Sequence, residues 1–107
     1  MDNDKRVVLV TGASRGIGEE IASRFNELGD KVISPSRDEL DLASQDSVKS
    51  FVANFDTEIS VLVNNAGINI VGTVDGYRAI DLEQMLQTNL VAAFELCKLA
   101  ILSLIHI

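Results

Sequence analysis

Three apolar runs along the chain predict buried strands, and they lie at Arg6–Thr11, Lys31–Ser34 and Ile59–Asn64. In the first run, residues 7–10 are apolar at consecutive positions, so both faces of that strand are expected to be buried, as in a parallel sheet. Pro35 is expected to end the second strand because proline cannot donate to a ladder of hydrogen bonds.

Apolar residues at helical spacing follow the first and second strands. The first predicted helix runs from Ile17 to Leu28, and Gly29 is a fitting C-terminal stop. The second is expected from about Gln45 to Asn54, with Ser44 as its N-cap. Its buried residues are predicted to be Val48, Phe51 and Val52.

A last helix is predicted after a glycine-containing loop over residues 67–76. Asp81 is expected to cap it, with Gln84 completing a capping box. The apolar residues expected to share its buried face are Leu82, Met85, Leu86, Leu90, Ala93, Phe94, Cys97 and Ile101. The only cysteine, Cys97, is therefore predicted to be a small core residue, and it can form no disulfide within the chain.

A glycine-rich turn connects the first strand to the first helix, with the sequence Thr-Gly-Ala-Ser-Arg-Gly-Ile-Gly over residues 11–18. Gly12 suits the tight turn, Gly16 leaves no Cβ beside a phosphate, and Gly18 lets the helix lie close to the sheet. The helix N-terminus offers unpaired N–H groups to an anion. We therefore predict a dinucleotide site, whose contacts here are Gly12, Ser14, Arg15, Gly16, Ile17 and Gly18.

The spacing T-G-x-x-x-G-x-G resembles that of the short-chain dehydrogenase/reductase family. Asn64-Asn65-Ala66-Gly67 is similar to the family's NNAG segment, and Asn89 resembles the asparagine of its catalytic tetrad. The resemblance implies a partial Rossmann-like, doubly wound α/β fold and hydride transfer between a nicotinamide cofactor and a carbonyl or alcohol. It also implies cofactor contacts at Asn64, Ala66 and Gly67, with the asparagine side chains tying the loop together.

The family's catalytic serine and its Tyr-x-x-x-Lys pair have no match in this chain. The only tyrosine, Tyr77, precedes Asn89 and is followed four residues later by Asp81, so it is expected to be a surface or loop aromatic. We therefore expect residues 1–107 to form a single incomplete domain that carries the dinucleotide-binding half and is inactive alone. A non-catalytic binding or interaction module and a non-functional remnant are the alternatives.

The segment after the second strand is shorter than the family pattern. Only residues 36–40 precede Asp41, whereas a crossover to a parallel neighbour needs a dozen or more residues. We predict a mostly parallel sheet of about three strands with the first strand in the middle, in which residues 40–42 add at most a short pairing. Nucleotide-sugar reductases with a similarly short segment stay open as relatives.

Cofactor preference is predicted from the end of the second strand. In NAD enzymes a carboxylate at the end of the second strand binds the ribose 2′-hydroxyl, and the corresponding position here is about Ser36, which is uncharged. Arg37 follows it, and Arg15 lies in the glycine-rich turn. These two arginines favour binding of the 2′-phosphate of NADP. NAD stays open, because Asp38 lies one residue further on and because Arg37 could instead pair with Asp38 or Glu39. Asp41 and Leu42 resemble the family's pair beside the adenine ring, although a plain loop aspartate is the alternative.

The net charge and the distribution of apolar residues limit the kinds of partner expected for this chain. The net charge of −7 over 107 residues argues against a nucleic-acid partner. The polar first residues and the short apolar stretch over 99–107 predict neither a signal peptide nor a membrane span, and hence a cytoplasmic protein. We predict no metal site. The third strand is expected to be an exposed sheet edge, and the resemblance implies a homo-oligomer formed through the helix near Asp81.

Overall fold

The structure, a computed structural model, describes residues 5–68 and 72–105. Three short strands form one sheet, namely β1 (Val7–Val10), β2 (Lys31–Ile33) and β3 (Val61–Val63). Both pairings are parallel and the strand order is β2-β1-β3, which confirms the prediction that the first strand is central. Each strand is shorter than the apolar run that predicted it, and β3 lies at an edge of the sheet.

A helix follows each of the first two strands, as a parallel crossover requires. These helices are α1 (Gly16–Glu27) and α2 (Gln45–Asn54). The Ser44 side chain accepts a hydrogen bond from the Ser47 N–H at 3.2 Å, so the predicted N-cap of α2 is confirmed. Gly29 follows α1 with φ of +89°, which a side chain rarely adopts.

The core lies between the sheet and the helices on one of its faces. Val8, Leu9 and Val10 of the central strand are fully buried. The buried apolar cluster comprises Leu9, Leu40, Val48, Ile59, Ala92, Leu96 and Leu99. Leu40 shows that the shortened segment after β2 packs into the core. No strand forms over residues 34–44, so residues 40–42 do not pair with the sheet.

An ion pair fixes the start of β1 to the turn before β2. Arg6 donates to both carboxylate oxygens of Asp30, at 2.9 and 2.7 Å. The hydrogen bonds from the Arg6 guanidinium hold the pKa of Asp30 below its ordinary value.

The C-terminal helical region consists of α3 (Ala79–Leu86), a π-helical turn (Gln87–Val91) and α4 (Ala92–Ile105). The prediction that Asp81 caps this helix is wrong, because the helix begins at Ala79 with the extended Arg78 as its N-cap. Asp81 instead occupies the third helical position, where its carboxylate accepts from the Arg78 backbone N–H at 3.2 Å. Asp81, and not Gln84, is thus the residue that completes the capping box.

The predicted buried face of this helical region is also wrong. Ala92, Leu96 and Leu99 are the residues that enter the core. The predicted face instead holds an exposed stripe, whose members are 46–62% exposed and comprise Leu82, Leu86, Leu90, Phe94 and Ile101. Cys97 is exposed as well, so its prediction as a core residue fails. Because α4 is apolar on nearly all sides, periodicity could not select the face that packs on the sheet.

The helical run Ala79–Leu102 is long and apolar enough to cross a membrane by length and composition, with a mean hydropathy of 1.4 over its best window. The sequence prediction of no membrane span rests on the apolar stretch over residues 99–107 and does not take account of this longer run. Only 17% of the window is buried, and the run contributes Ala92, Leu96 and Leu99 to the core. Residues 69–71 of the predicted loop and His106, the only histidine of the sequence, lie outside the described residues. No role is predicted for His106.

Candidate functional site

The glycine-rich turn adopts backbone conformations that depend on glycine. Gly12 and Gly16 have φ of +67° and +62°, in the left-handed region that disfavours a side chain. A Cβ placed on Gly12 would lie 2.9 Å from the Cα atom of Ala66, so the turn packs against the segment after β3. A Cβ on Gly18 would lie 2.1 Å from the carbonyl oxygen of Gly12. Glycine at residue 18 therefore lets α1 begin in direct contact with the turn.

Thr11 and Asn65 join the loops that follow β1 and β3. The Thr11 hydroxyl oxygen accepts from the backbone N–H groups of Asn65 and Ala66, at 3.2 and 3.1 Å. The Asn65 side-chain amide donates to the Gly12 carbonyl oxygen at 3.1 Å. Sequence patterns predict no role for Thr11 and only a general part in tying the loop together for Asn65. Their positions at the ends of two strands were the available signal.

The N-terminus of α1 carries the features of an anion site. Arg15 occupies the N-cap position with an extended backbone, and its side chain caps no N–H group. Within the part of the chain that the structure describes, no side-chain hydrogen bond caps the first turn of α1, and the positive end of the helix dipole lies beside Gly12–Gly16. Ile17 is 74% exposed at this end, so it is available for contact with a ligand.

A cleft of about 300 Å³ opens beside this turn. Its walls come from the turn, from the segment after β2, from the loop after β3 and from α3. The residues that line it are Gly12, Ala13, Ser14, Pro35, Ser36, Arg37, Leu40, Asp41, Leu42, Ala43, Ala66, Gly67, Ile68, Gln84 and Thr88. Seven predicted contacts meet here, namely Gly12, Ser14, Arg37, Asp41, Leu42, Ala66 and Gly67. The predicted residues Arg15, Gly16, Ile17, Gly18, Asn64 and Asn89 do not line it.

Arg37 lines the cleft and forms no ion pair or hydrogen bond with the described part of the chain. The Glu39 carboxylate instead accepts from the Ser36 backbone N–H at 2.9 Å, and this bond lowers the pKa of Glu39. Asp38 lines a separate groove together with Glu39 and Phe51. Neither acidic neighbour therefore neutralises Arg37, and Asp38 does not line the cleft.

Asp41 is held in place by local hydrogen bonds. Its backbone N–H donates to the Ser47 hydroxyl at 2.9 Å, and its Oδ1 atom accepts from the Ala43 N–H at 3.1 Å. Leu42 is half-buried and packs against the core. These contacts fix the position of Asp41 at the cleft wall while its other carboxylate oxygen makes no hydrogen bond within residues 5–68 and 72–105.

Asn89 lies in the π-helical turn and binds the loop after β3. Its Oδ1 atom accepts from the Ile68 N–H at 2.8 Å, and its amide donates to the Ile68 carbonyl oxygen at 2.7 Å. Asn64 makes contacts of 3.4 to 3.5 Å with Cys97 Sγ and the Ala93 carbonyl oxygen. Both asparagines thus connect strand-end backbone to the C-terminal helices.

The chain has a glycine-rich turn from a central parallel strand into a helix, beside a cleft at the carboxyl ends of the strands. This arrangement is that of a Rossmann-like α/β fold. The family model described as short chain dehydrogenase matches residues 6–50 and 38–106. The chain therefore belongs to the short-chain dehydrogenase/reductase family.

Curated and solved relatives agree with this assignment. The chain is 32% identical to the ketoacyl reductase HetN of a Nostoc species, covering 94% of this chain and 44% of that protein. It is 35% identical to the ligand-free aldohexose dehydrogenase of Thermoplasma acidophilum, with a TM-score of 0.84 and coverage of 96% and 46% of the two chains. A short-chain dehydrogenase from Sphingobium yanoikuyae in complex with NADPH is 26% identical, with a TM-score of 0.79 and coverage of 89% and 46%.

The chain thus spans less than half the length of these relatives. The HetN alignment extends over 125 positions, more than the 107 residues of this chain, so that relative carries residues that this chain lacks within the matched region.

Proposed function

We propose that this chain is the dinucleotide-binding half of an NADP-preferring oxidoreductase that acts on a carbonyl or alcohol. The observation that carries the proposal is one cleft that unites the glycine turn with an unpaired arginine, Arg37, after β2. The NADPH complex of the Sphingobium yanoikuyae enzyme supports the cofactor class.

The residues present fit such a cofactor. The turn at Gly12 and the uncapped N-terminus of α1 suit the diphosphate, because a Cβ on Gly16 would meet no atom within 4 Å and that side is open. Arg37, assisted by Arg15, would hold the 2′-phosphate with its planar donors. Asp41 and Leu42 would contact the adenine, and Ala66 with Gly67 the ribose. When bound, the nicotinamide would supply or accept a hydride.

Catalysis is proposed to need residues beyond those of this chain. Asn89 is the one match to the family's catalytic set, and both polar atoms of its side chain are occupied by Ile68. No residue of the chain matches the family's catalytic tyrosine and lysine, so we expect no turnover by the purified chain. Oxidation of NADPH above background with a panel of ketones would overturn the proposal that this chain alone is inactive.

Cofactor binding is tested by calorimetry and thermal melting with NADP and NAD. We expect tighter binding of NADP and a cooperative melting transition that NADP raises, because a ligand that binds the native state stabilises it. Arg37→Ser should remove most of the preference for NADP, whereas Arg24→Ser, which breaks only the exposed pair with Glu20, should keep it. Equal binding of NAD and NADP by the unsubstituted chain would contradict the preference. A chain that never melts cooperatively would favour a non-functional remnant.

The exposed stripe on α3 and α4 favours an additional role in subunit contact. Leu82, Leu86, Leu90, Phe94 and Ile101 are spaced along one side of the helical region, and such a patch exposed to water commonly marks an interface. We propose a homo-oligomer through this stripe, in a cytoplasmic protein whose exposed cysteine stays reduced. Light scattering should show a mass above that of one chain, and Phe94→Glu should return it to a monomer.

A further inference from the structure

We propose that Glu39 is a positioning residue for binding of the 2′-phosphate, because its carboxylate closes the turn that presents Arg37 to the cleft. This inference rests on the function proposed above. Glu39 does not itself line the cleft, and its charge has the same sign as that of the phosphate. Charge alone therefore predicts that Glu39 weakens phosphate binding, whereas the geometry of the turn predicts that Glu39 strengthens it.

Glu39 and Ser36 bind each other in a reciprocal pair of hydrogen bonds. The Ser36 N–H donates to the Glu39 Oε1 atom at 2.9 Å, and the Glu39 N–H donates to the Ser36 hydroxyl oxygen at 3.3 Å. The Ser36 carbonyl oxygen also accepts from the N–H groups of Glu39 and Leu40, at 3.1 and 2.9 Å. The pattern Ser-x-x-Glu forms the same reciprocal pair at the start of many helices. Here it closes a single turn over residues 37–39.

The position of Arg37 depends on this turn. No strand forms over residues 34–44, and the Arg37 backbone bonds to no other described backbone group. Leu40, which is buried in the core, anchors the end of the turn, and the bond from Ser36 to Glu39 fixes its beginning. Ordering a loop during binding lowers the affinity, whereas a closed turn is already ordered in the free protein. The Glu39 carboxylate therefore holds Arg37 ready for an anion.

Asp38 provides a matched comparison within the same turn. Its side chain forms no hydrogen bond or ion pair with the described residues, and it lines a separate groove. Asp38 and Glu39 are both exposed, and both carry a carboxylate. The bond to the Ser36 N–H is thus what distinguishes Glu39 from its neighbour.

The test measures NADP and NAD binding by calorimetry, together with the melting temperature of each variant. Glu39→Ala removes the acceptor and a negative charge, and we expect NADP binding to weaken by about 3- to 10-fold, the effect of one hydrogen bond. NAD has no 2′-phosphate, so its binding should stay unchanged and the preference for NADP should fall. Glu39→Gln keeps an acceptor oxygen without the charge and should retain the preference. Asp38→Asn removes a charge that closes no turn, so NADP binding should be unchanged or tighter.

A double-mutant cycle tests whether Glu39 acts through Arg37. In the Arg37→Ser background, Glu39→Ala should change NADP binding little, because the side chain that the turn presents is already absent. A full additional loss in that background would overturn the inference.

Three other outcomes also decide the matter. Unchanged or tighter NADP binding by Glu39→Ala would overturn this inference while leaving the proposed function intact. Equal losses for NADP and NAD with a lower melting temperature would assign Glu39 a purely structural role and overturn it as well. Loss of the preference in Glu39→Gln would show that the bond to Ser36 is not the cause. If Arg37→Ser keeps the NADP preference, or the unsubstituted chain binds neither nucleotide, the proposed function fails and this inference fails with it.

Discussion

Gly18 is expected to determine whether α1 can begin against the nucleotide-binding turn. In the Gly18→Ala variant, the new Cβ would lie 2.1 Å from the Gly12 carbonyl oxygen and 2.4 Å from the Asn65 amide nitrogen. Ordinary contact begins at 3.4 Å, so α1 or the turn must move by more than 1 Å. The obstructing oxygen belongs to the backbone, and rotation of a flexible side chain therefore cannot relieve the overlap.

Two opposing contributions determine how much Gly18→Ala changes the free energy of unfolding. Gly18 lies within a helix, where alanine is favoured over glycine by about 1 kcal/mol. Overpacking of this kind costs about 1–3 kcal/mol, and backbone overlap places this case at or above the upper end. We therefore expect the free energy of unfolding to fall by about 2 kcal/mol or more, with weaker NADP binding as the N–H groups of the first turn are displaced.

Urea unfolding followed by circular dichroism measures the stability term, and calorimetry measures NADP binding. Ser23→Ala is the matched control, because residue 23 is exposed in the same helix and should change stability by no more than about 0.5 kcal/mol. Gly16→Ala tests the effect of backbone strain without steric overlap. Residue 16 has a φ of +62°, but a Cβ atom there would meet no atom within 4 Å. If Gly18→Ala proves as stable as the unsubstituted chain or more so, the helix-propensity term dominates and the packing argument is wrong.

Three further predictions concern the contacts that support the site. Thr11→Val leaves two half-buried N–H groups without their acceptor, so urea unfolding should show a loss of about 1–3 kcal/mol that Thr11→Ser largely restores. Asn89→Asp keeps the acceptor for the Ile68 N–H but removes the donor to the Ile68 carbonyl oxygen, so amide hydrogen exchange at residue 68 should accelerate. Unchanged exchange would show that Asn89 does not hold the loop after β3. Because the pKa of Asp30 is lowered in the folded chain, its contribution is present at neutral pH and is lost as pH falls below about 4. Asp30→Asn should accordingly flatten the acid side of the stability profile, and an unchanged profile would show that the Arg6 pair contributes nothing.

Local signals allowed the first two helices and the central strand to be predicted from the sequence. Ser44 marks the start of α2 because its side chain bonds to an N–H only three residues away. The position of β1 followed from its continuous apolar run, and the absence of a full strand over residues 34–44 followed from the length of the segment after β2. Each of these inferences depends on residues that are close together along the chain.

The predictions were wrong where contacts between residues far apart in the sequence determine the structure. The face of α4 that packs on the sheet is selected by the fit of Ala92 and Leu96, and an apolar pattern on all sides carries no such information. Thr11 and Asn65 form hydrogen bonds between loops that are more than fifty positions apart in the sequence. No local sequence pattern indicates such bonds. The helix cap was misplaced by three residues because Asp81 serves equally well at the third helical position.

Leu40 shows how a shortened segment can still form a wall of the proposed nucleotide cleft. It is only 5% exposed and packs in the core, three residues after Arg37 and one before Asp41. Hydrogen bonds from Ser36 to Glu39 and from Asp41 to Ser47 hold the segment on either side of it. A flexible loop would lose conformational entropy on binding the cofactor, but a segment anchored by a core residue has already lost it on folding. The same leucine that anchors this segment in the core therefore positions the groups proposed to contact the 2′-phosphate and the base.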